Sequence, residues 1–119
     1  MEINWNNKDA IYLQLRDRLA ELILDAVFKE GDALPSVRQI SSEQRINPIT
    51  VSKAMQILVD EDLVEKRRGL GMYVVIGAKE KLATAERTKF LEEEWPQIER
   101  RIARLGFTLD DLFGRGETK

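Results

Sequence analysis

Residues 34–76 read LPSVRQISSEQRINPITVSKAMQILVDEDLVEKRRGLGMYVVI, and this stretch decides the fold. Ser36 followed three positions later by Gln39 is a capping box, so a short helix opens there and ends near Gln44, with Val37, Ile40 and Ser41 facing inward. Arg45-Ile46 form a turn. Asn47-Pro48 opens the next helix: Asn satisfies an orphan N–H, and Pro at the first helical position loses nothing by lacking its own. Val51, Ala54, Met55, Leu58 and Val59 recur at helical spacing as its buried stripe. Asn47, Ile49, Thr50, Ser52, Lys53 and Gln56 are left on the far side or at the leading end, and the helix spans 48–61. Leu63 to Arg68 and Met72 to Ile76 read as strands around Gly69-Leu70-Gly71, which makes a β-hairpin over 64–76.

Upstream, Leu15, Leu19, Leu22, Ile23, Ala26 and Val27 give residues 11–27 one apolar helical face, with Asp9 placed to cap its start. Gly31 and Pro35 mark the segment 28–35 as a turn. Downstream, Gly77 punctuates and residues 78–105 return to helical pattern. Leu91, Trp95, Ile98, Ile102 and Leu105 are spaced 4, 3, 4 and 3 apart, the interval of a helix-pairing seam. Pro96 falls inside this pattern and should kink or restart the helix. Gly106 ends it, Thr108 caps a last short helix through Phe113, and Gly114 to Lys119 is a polar tail. The expected fold is mostly α with a small β-hairpin. A winged helix-turn-helix occupies residues 1–76, and a short helical dimerisation tail spans 78–113 within residues 77–119.

The chain has 119 residues, no cysteine and no histidine. Disulfides, thiolate metal sites and triads built on His or Cys are therefore excluded. We expect no enzyme activity, no catalytic residues, no metal site and no cofactor. No apolar run resembles a signal peptide or approaches the ~20 residues of a membrane span. The expectation is a soluble cytoplasmic protein. Net charge is −2, and the stretch from Ser36 to Ile76 holds six basic and five acidic residues. Such a balance permits nucleic-acid binding without demanding it.

Three helices followed by a hairpin suit duplex DNA. A short helix crosses the backbone while the next puts its N-terminal end into the major groove. That end must be slim and polar, as Asn47, Thr50 and Ser52 are, and its free amides favour phosphate. A hairpin tip that approaches a duplex needs small residues, which Gly69 and Gly71 supply, and Arg67 and Arg68 add charge beside it.

Several ordered motifs carry a resemblance. They are Leu34-Pro35-Ser36-Val37-Arg38-Gln39-Ile40, Ile46 through Ala54, Leu58 with Asp62-Leu63-Val64, and Arg68 through Val74, together with Ile11-Tyr12-Leu13-Gln14 upstream. Over roughly residues 9–76 the sequence resembles the DNA-binding domain of GntR-family repressors. About 43 residues follow, too few for the large effector domain most of that family carries. This short tail and the Asn-Pro-x-Thr-Val motif are similar to the YtrA-like subgroup, whose brief helical tails dimerise and whose genes often sit with transporter genes. The resemblance implies a phosphate or base contact for Arg38, a backbone contact for Thr50 and a wing glycine at Gly69. It also shows departures. Pro48 stands where many members have a base-reading arginine, Ala26 where glycine is common and Ala10 where proline is common.

The expected function is sequence-specific transcription regulation, as a repressor binding a palindromic operator in double-stranded DNA as a homodimer. The residues assigned to DNA are Arg38, Asn47, Ile49, Thr50, Ser52, Lys53, Arg67, Arg68 and Gly69. The stripe of Leu91, Trp95, Ile98, Ile102 and Leu105 must be buried against the chain's own first domain or a second copy, and the copy is the more economical partner. Nothing in the sequence names an effector. The alternative is a winged-helix protein-interaction module, which usually lacks the Arg-Gly wing and the polar helix start.

Overall fold

The computed structural model describes residues 1–114. The polar run expected after Gly114 lies outside the described residues. Both caps expected for the central helices form. The N–H of Gln39 donates to Ser36 Oγ at 3.0 Å and the N–H of Ser36 to Gln39 Oε1 at 3.0 Å, which starts helix α2 (Val37–Gln44). The N–H of Ile49 donates to Asn47 Oδ1 at 2.8 Å, with Pro48 as first residue of helix α3 (Pro48–Asp60). Between them Arg45 is left-handed at φ 56°, and Ser41 Oγ donates to the Ile46 carbonyl at 2.6 Å. A polar side chain thus locks the turn of the helix-turn-helix.

Helix α1 (Ile11–Leu24) stops short of its expected end. The N–H of Val27 donates to the Leu22 carbonyl and that of Ala26 to Ile23, the paired bonds of a Schellman ending. Ala26 and Val27 therefore leave the apolar face; Val27 is 61 % exposed. The ending puts Ala26 at φ 59°, where a β-carbon costs about 1 kcal/mol or more. Ala26→Gly should raise stability by about 0.5–1 kcal/mol, after the glycine's extra unfolded-state entropy is subtracted. Thermal unfolding checks this; an unchanged or lowered Tm would show the ending relaxes in solution. Asp9 does not cap α1, because the helix begins one residue further on, after Ala10. Gln14 reaches back instead. Its amide donates to the carbonyls of Asp9 at 2.8 Å and Asn6 at 3.1 Å, and its Oε1 accepts from the Asn6 N–H at 2.9 Å.

Strands β1 (Val64–Arg67) and β2 (Gly71–Val74) pair antiparallel, Val64 opposite Val74 and Arg67 opposite Gly71. Both are shorter than the strands read from the sequence, and β2 starts one residue earlier, at Gly71. The segment 31–34, which reads as a turn in sequence, lies along β2. The N–H groups of Gly31 and Leu34 donate to the carbonyls of Val74 and Met72, and that of Val74 to Asp32, each within 2.9 Å. The hairpin is thereby fastened to the chain ahead of α2.

One core gathers Leu15, Leu19 and Ile23 of α1, Ile40 of α2, Val51, Met55 and Leu58 of α3, and Val64 and Val74 of the hairpin. Arg16 closes one side, its Nε and Nη2 donating to Glu61 Oε1 at 2.9 and 2.7 Å. The core continues past the hairpin into Ala78 and Leu82 of helix α4 (Ala78–Lys89). The chain accordingly divides into one compact unit, Met1–Ala83, and a second that begins at Thr84, later than the expected boundary after residue 76. Glu30 Oε2 accepts from the Lys79 N–H at 3.0 Å. The backbone N–H groups of Gly77 and Lys79 hold its carboxyl below the usual range.

In the second unit the helix is not a plain α-helix. A π-helical turn, Phe90–Glu94, precedes α5 (Trp95–Leu105). The Trp95 N–H reaches back five residues to the Phe90 carbonyl. Pro96 has no N–H, and its ring would press on the carbonyl four residues earlier, so widening the turn just before it removes the conflict. The helix restarts as α5. Gly106 ends it in a left-handed conformation, and Thr108 and Asp111 form a capping box for α6 (Leu109–Phe113).

Candidate nucleic-acid interface

The residues that face away from the core define the site. On α3, Val51, Ala54, Met55 and Leu58 are buried, so helical geometry sends Ile49, Ser52, Lys53 and Gln56 outward. Asn47, Pro48 and Ile49 at the leading end are exposed, and Thr50 is half-buried. Arg38, in the first turn of α2, is exposed and makes no hydrogen bond or ion pair among the described residues. A groove of about 350 Å³ is lined by Ser36 and Val37 at the start of α2, Ser52 and Gln56 of α3, and Lys66, Arg67, Gly69, Gly71 and Met72 of the hairpin. The start of the first helix of the motif, the outer face of the second and the wing therefore share one surface.

The expected site residues are not equally available. Asn47 uses its side-chain oxygen as the cap of α3, which leaves its amide donors as the groups free of the cap. Lys53 lies over the Tyr12 ring, its Nζ 4.1 Å from the centroid, so α1 already engages that charge. Arg67 Nε donates to Glu65 Oε2 at 2.8 Å while its guanidinium stacks on Tyr73 at 4.1 Å, which braces the hairpin across its strands. Arg68, next in the chain, makes no ion pair among the described residues and lies in the turn. Gly69 and Gly71 have φ of 76° and 114°, and a β-carbon at either would meet nothing within 4 Å. Their role is conformational in the free chain, and the space around them is open.

Lys66 was not singled out from the sequence. It lines the groove and, with Arg68 and Gly69, an adjoining hollow at the wing. Its position in β1 was the available signal, since a lysine just ahead of the Gly-rich tip stands beside Arg67 and Arg68 at the wing. Of the tail residues, Trp95 and Ile102 are half-buried, while Leu91, Ile98 and Leu105 are 63, 39 and 57 % exposed. Trp95 has Phe90 as ring neighbour, centroids 6.2 Å apart. Trp95, Ile98, Ile102 and Leu105 share one stripe on α5, and Leu91 lies in the π-helical turn ahead of it.

Comparison with known proteins agrees with this geometry. Residues 11–74 match the family described as bacterial regulatory proteins, gntR family. The chain is 37 % identical over 93 residues to the HTH-type transcriptional repressor YtrA of Bacillus subtilis, covering 78 % of this chain and 72 % of that one. Its fold is similar to a transcriptional regulator from Oenococcus oeni, with a TM-score of 0.73 at 25 % identity over 92 % of this chain and 90 % of that one. It is also similar to YtrA from Sulfolobus acidocaldarius, a GntR-family transcription factor, with a TM-score of 0.57 at 30 % identity, covering 87 % and 92 % of the two chains.

Proposed function

The chain belongs to the GntR family of bacterial regulatory proteins, and on that basis we propose that it is a repressor that grips a palindromic operator as a homodimer. The family is one of transcription regulators rather than enzymes, and the winged helix-turn-helix is its DNA-binding part. The observation that carries the operator reading is the single surface formed by α2, α3 and the wing. In it α3 enters the major groove by its Asn47 end, with Thr50 and Ser52 as hydrogen-bonding groups. Arg38 and Arg68 take phosphates or base edges on either side, and Gly69 lets the wing backbone approach the duplex. Lys53 and Arg67 act less directly, because Tyr12 and Tyr73 already hold them.

The homodimer reading rests on the second unit, none of whose described residues in the π-turn, α5 and α6 is buried. An amphipathic helix that leaves its apolar stripe in water lacks its partner. A two-fold copy lets one stripe cover another, and two linked half-site contacts multiply affinity. Control of a transporter operon from the cytoplasm belongs to the same proposal and rests on the resemblance to the YtrA-like subgroup.

The test is selection of duplexes from a randomised pool by the full chain. Two-fold symmetric half-sites spaced by whole helical turns are expected; an asymmetric site bound by one chain would overturn the homodimer reading. On the selected duplex, log affinity should fall linearly with log salt. Arg68→Ala should lower that slope by about one, the value for one phosphate neutralised, and Arg67→Ala by less. Equal slopes for wild type and Arg68→Ala would remove the wing from the contact surface.

A further inference from the structure

We propose that Ile49 is a specificity-determining residue that reads the 5-methyl group of a thymine in the major groove. This rests on the operator-binding reading above and says what the leading end of α3 recognises. Ile49 is 77 % exposed, the most exposed large hydrophobic side chain among the described residues. Scattered surface hydrophobics are ordinary, but this one stands at the tip of the helix that enters the groove. It lies between the Asn47 cap and Thr50, next to an exposed Pro48.

The chemistry of this end is restricted. Guanine is usually read by a long cation making two hydrogen bonds to its O6 and N7. The first turns of α3 itself offer none: Pro48 and Ile49 are apolar, and Lys53 is drawn back over the Tyr12 ring. Asn47 accepts from the N–H of Ile49, which turns its oxygen back onto the helix end and away from the bidentate pairing with adenine N6 and N7. The group left at the front is a branched hydrocarbon. In the major groove the one apolar feature that distinguishes a base pair is the thymine methyl. Burying that methyl against Ile49 removes both from water, whereas a cytosine or purine at the same position lacks the methyl and presents a polar group to be desolvated instead.

The experiment uses the full chain and the duplex it selects from a randomised pool. Each thymine of a half-site is replaced in turn by deoxyuridine, which removes one methyl and leaves base pairing intact. Wild type is expected to lose about four-fold in affinity at one thymine, the factor for one buried methyl. Ile49→Ala, verified as folded by its circular dichroism and Tm, should bind the thymine and deoxyuridine duplexes equally. If wild type is indifferent to deoxyuridine at every position, or Ile49→Ala keeps the full loss, the proposal is overturned while the operator reading stands. If wild type enriches no sequence, the operator reading falls and this proposal with it.

Discussion

Ile98→Asp combined with Ile102→Asp is expected to give a folded but monomeric chain whose operator affinity is at least a hundred-fold below wild type. The two isoleucines lie on the same stripe of α5 as Trp95 and Leu105. Buried in a seam, an isoleucine contributes about 1.5–3 kcal/mol, and a two-fold dimer contains two copies of each. Aspartate removes that gain and adds a carboxylate that cannot be desolvated without a partner. The first unit should be untouched, since its core is built from residues up to Leu82. Losing the dimer also removes the linkage of two half-site contacts, typically worth 10²–10⁴-fold. Sedimentation at tens of micromolar reads assembly, and titration at fixed salt reads affinity. A wild-type chain that sediments as a monomer, or a variant that still dimerises, would refute the seam. A lowered Tm with unchanged assembly would mean the stripe is covered within one chain.

What the sequence makes legible here is what local chemistry determines. Ser36 with Gln39 and Asn47 with Pro48 are complete instructions for a helix start, and both starts form as read. The buried stripe of α3 is fixed by spacing alone. Three features escaped for different reasons. The end of α1 depends on Ala26 adopting a left-handed backbone that glycine would announce and alanine conceals. The pairing of residues 31–34 with β2 depends on a strand forty residues away, and Gly31 and Pro35 disguise it as a turn. The π-turn is a response to Pro96 whose form, kink or widened turn, sequence periodicity does not choose. At the site, residue type identifies charges but not their partners. That Tyr12 and Tyr73 hold Lys53 and Arg67 is a tertiary fact, and it leaves Arg38 and Arg68 as arginines of the proposed surface with no ion pair among the described residues.

Arg38→Ala should weaken operator binding by about 1–3 kcal/mol, roughly five- to 150-fold, while leaving stability within about 0.5 kcal/mol of wild type. The stability half follows from position. Arg38 is exposed in the first turn of α2, and the capping box that starts this helix uses Ser36 and Gln39. Its guanidinium gives up no hydrogen bond to the described residues on reaching a duplex, so no internal bond offsets the contact. Arg38→Lys separates the two contacts available to it. Lysine keeps the charge as a point and loses the planar fork. If Arg38 meets phosphate, Arg38→Ala lowers the salt slope by about one and Arg38→Lys restores most of the affinity. If it grips a guanine edge through two hydrogen bonds, Arg38→Lys recovers little, and the loss disappears on duplexes altered at that one base pair. Wild-type affinity for Arg38→Ala, measured at fixed salt with the selected duplex, would take α2 out of the interface and leave α3 and the wing to bind alone.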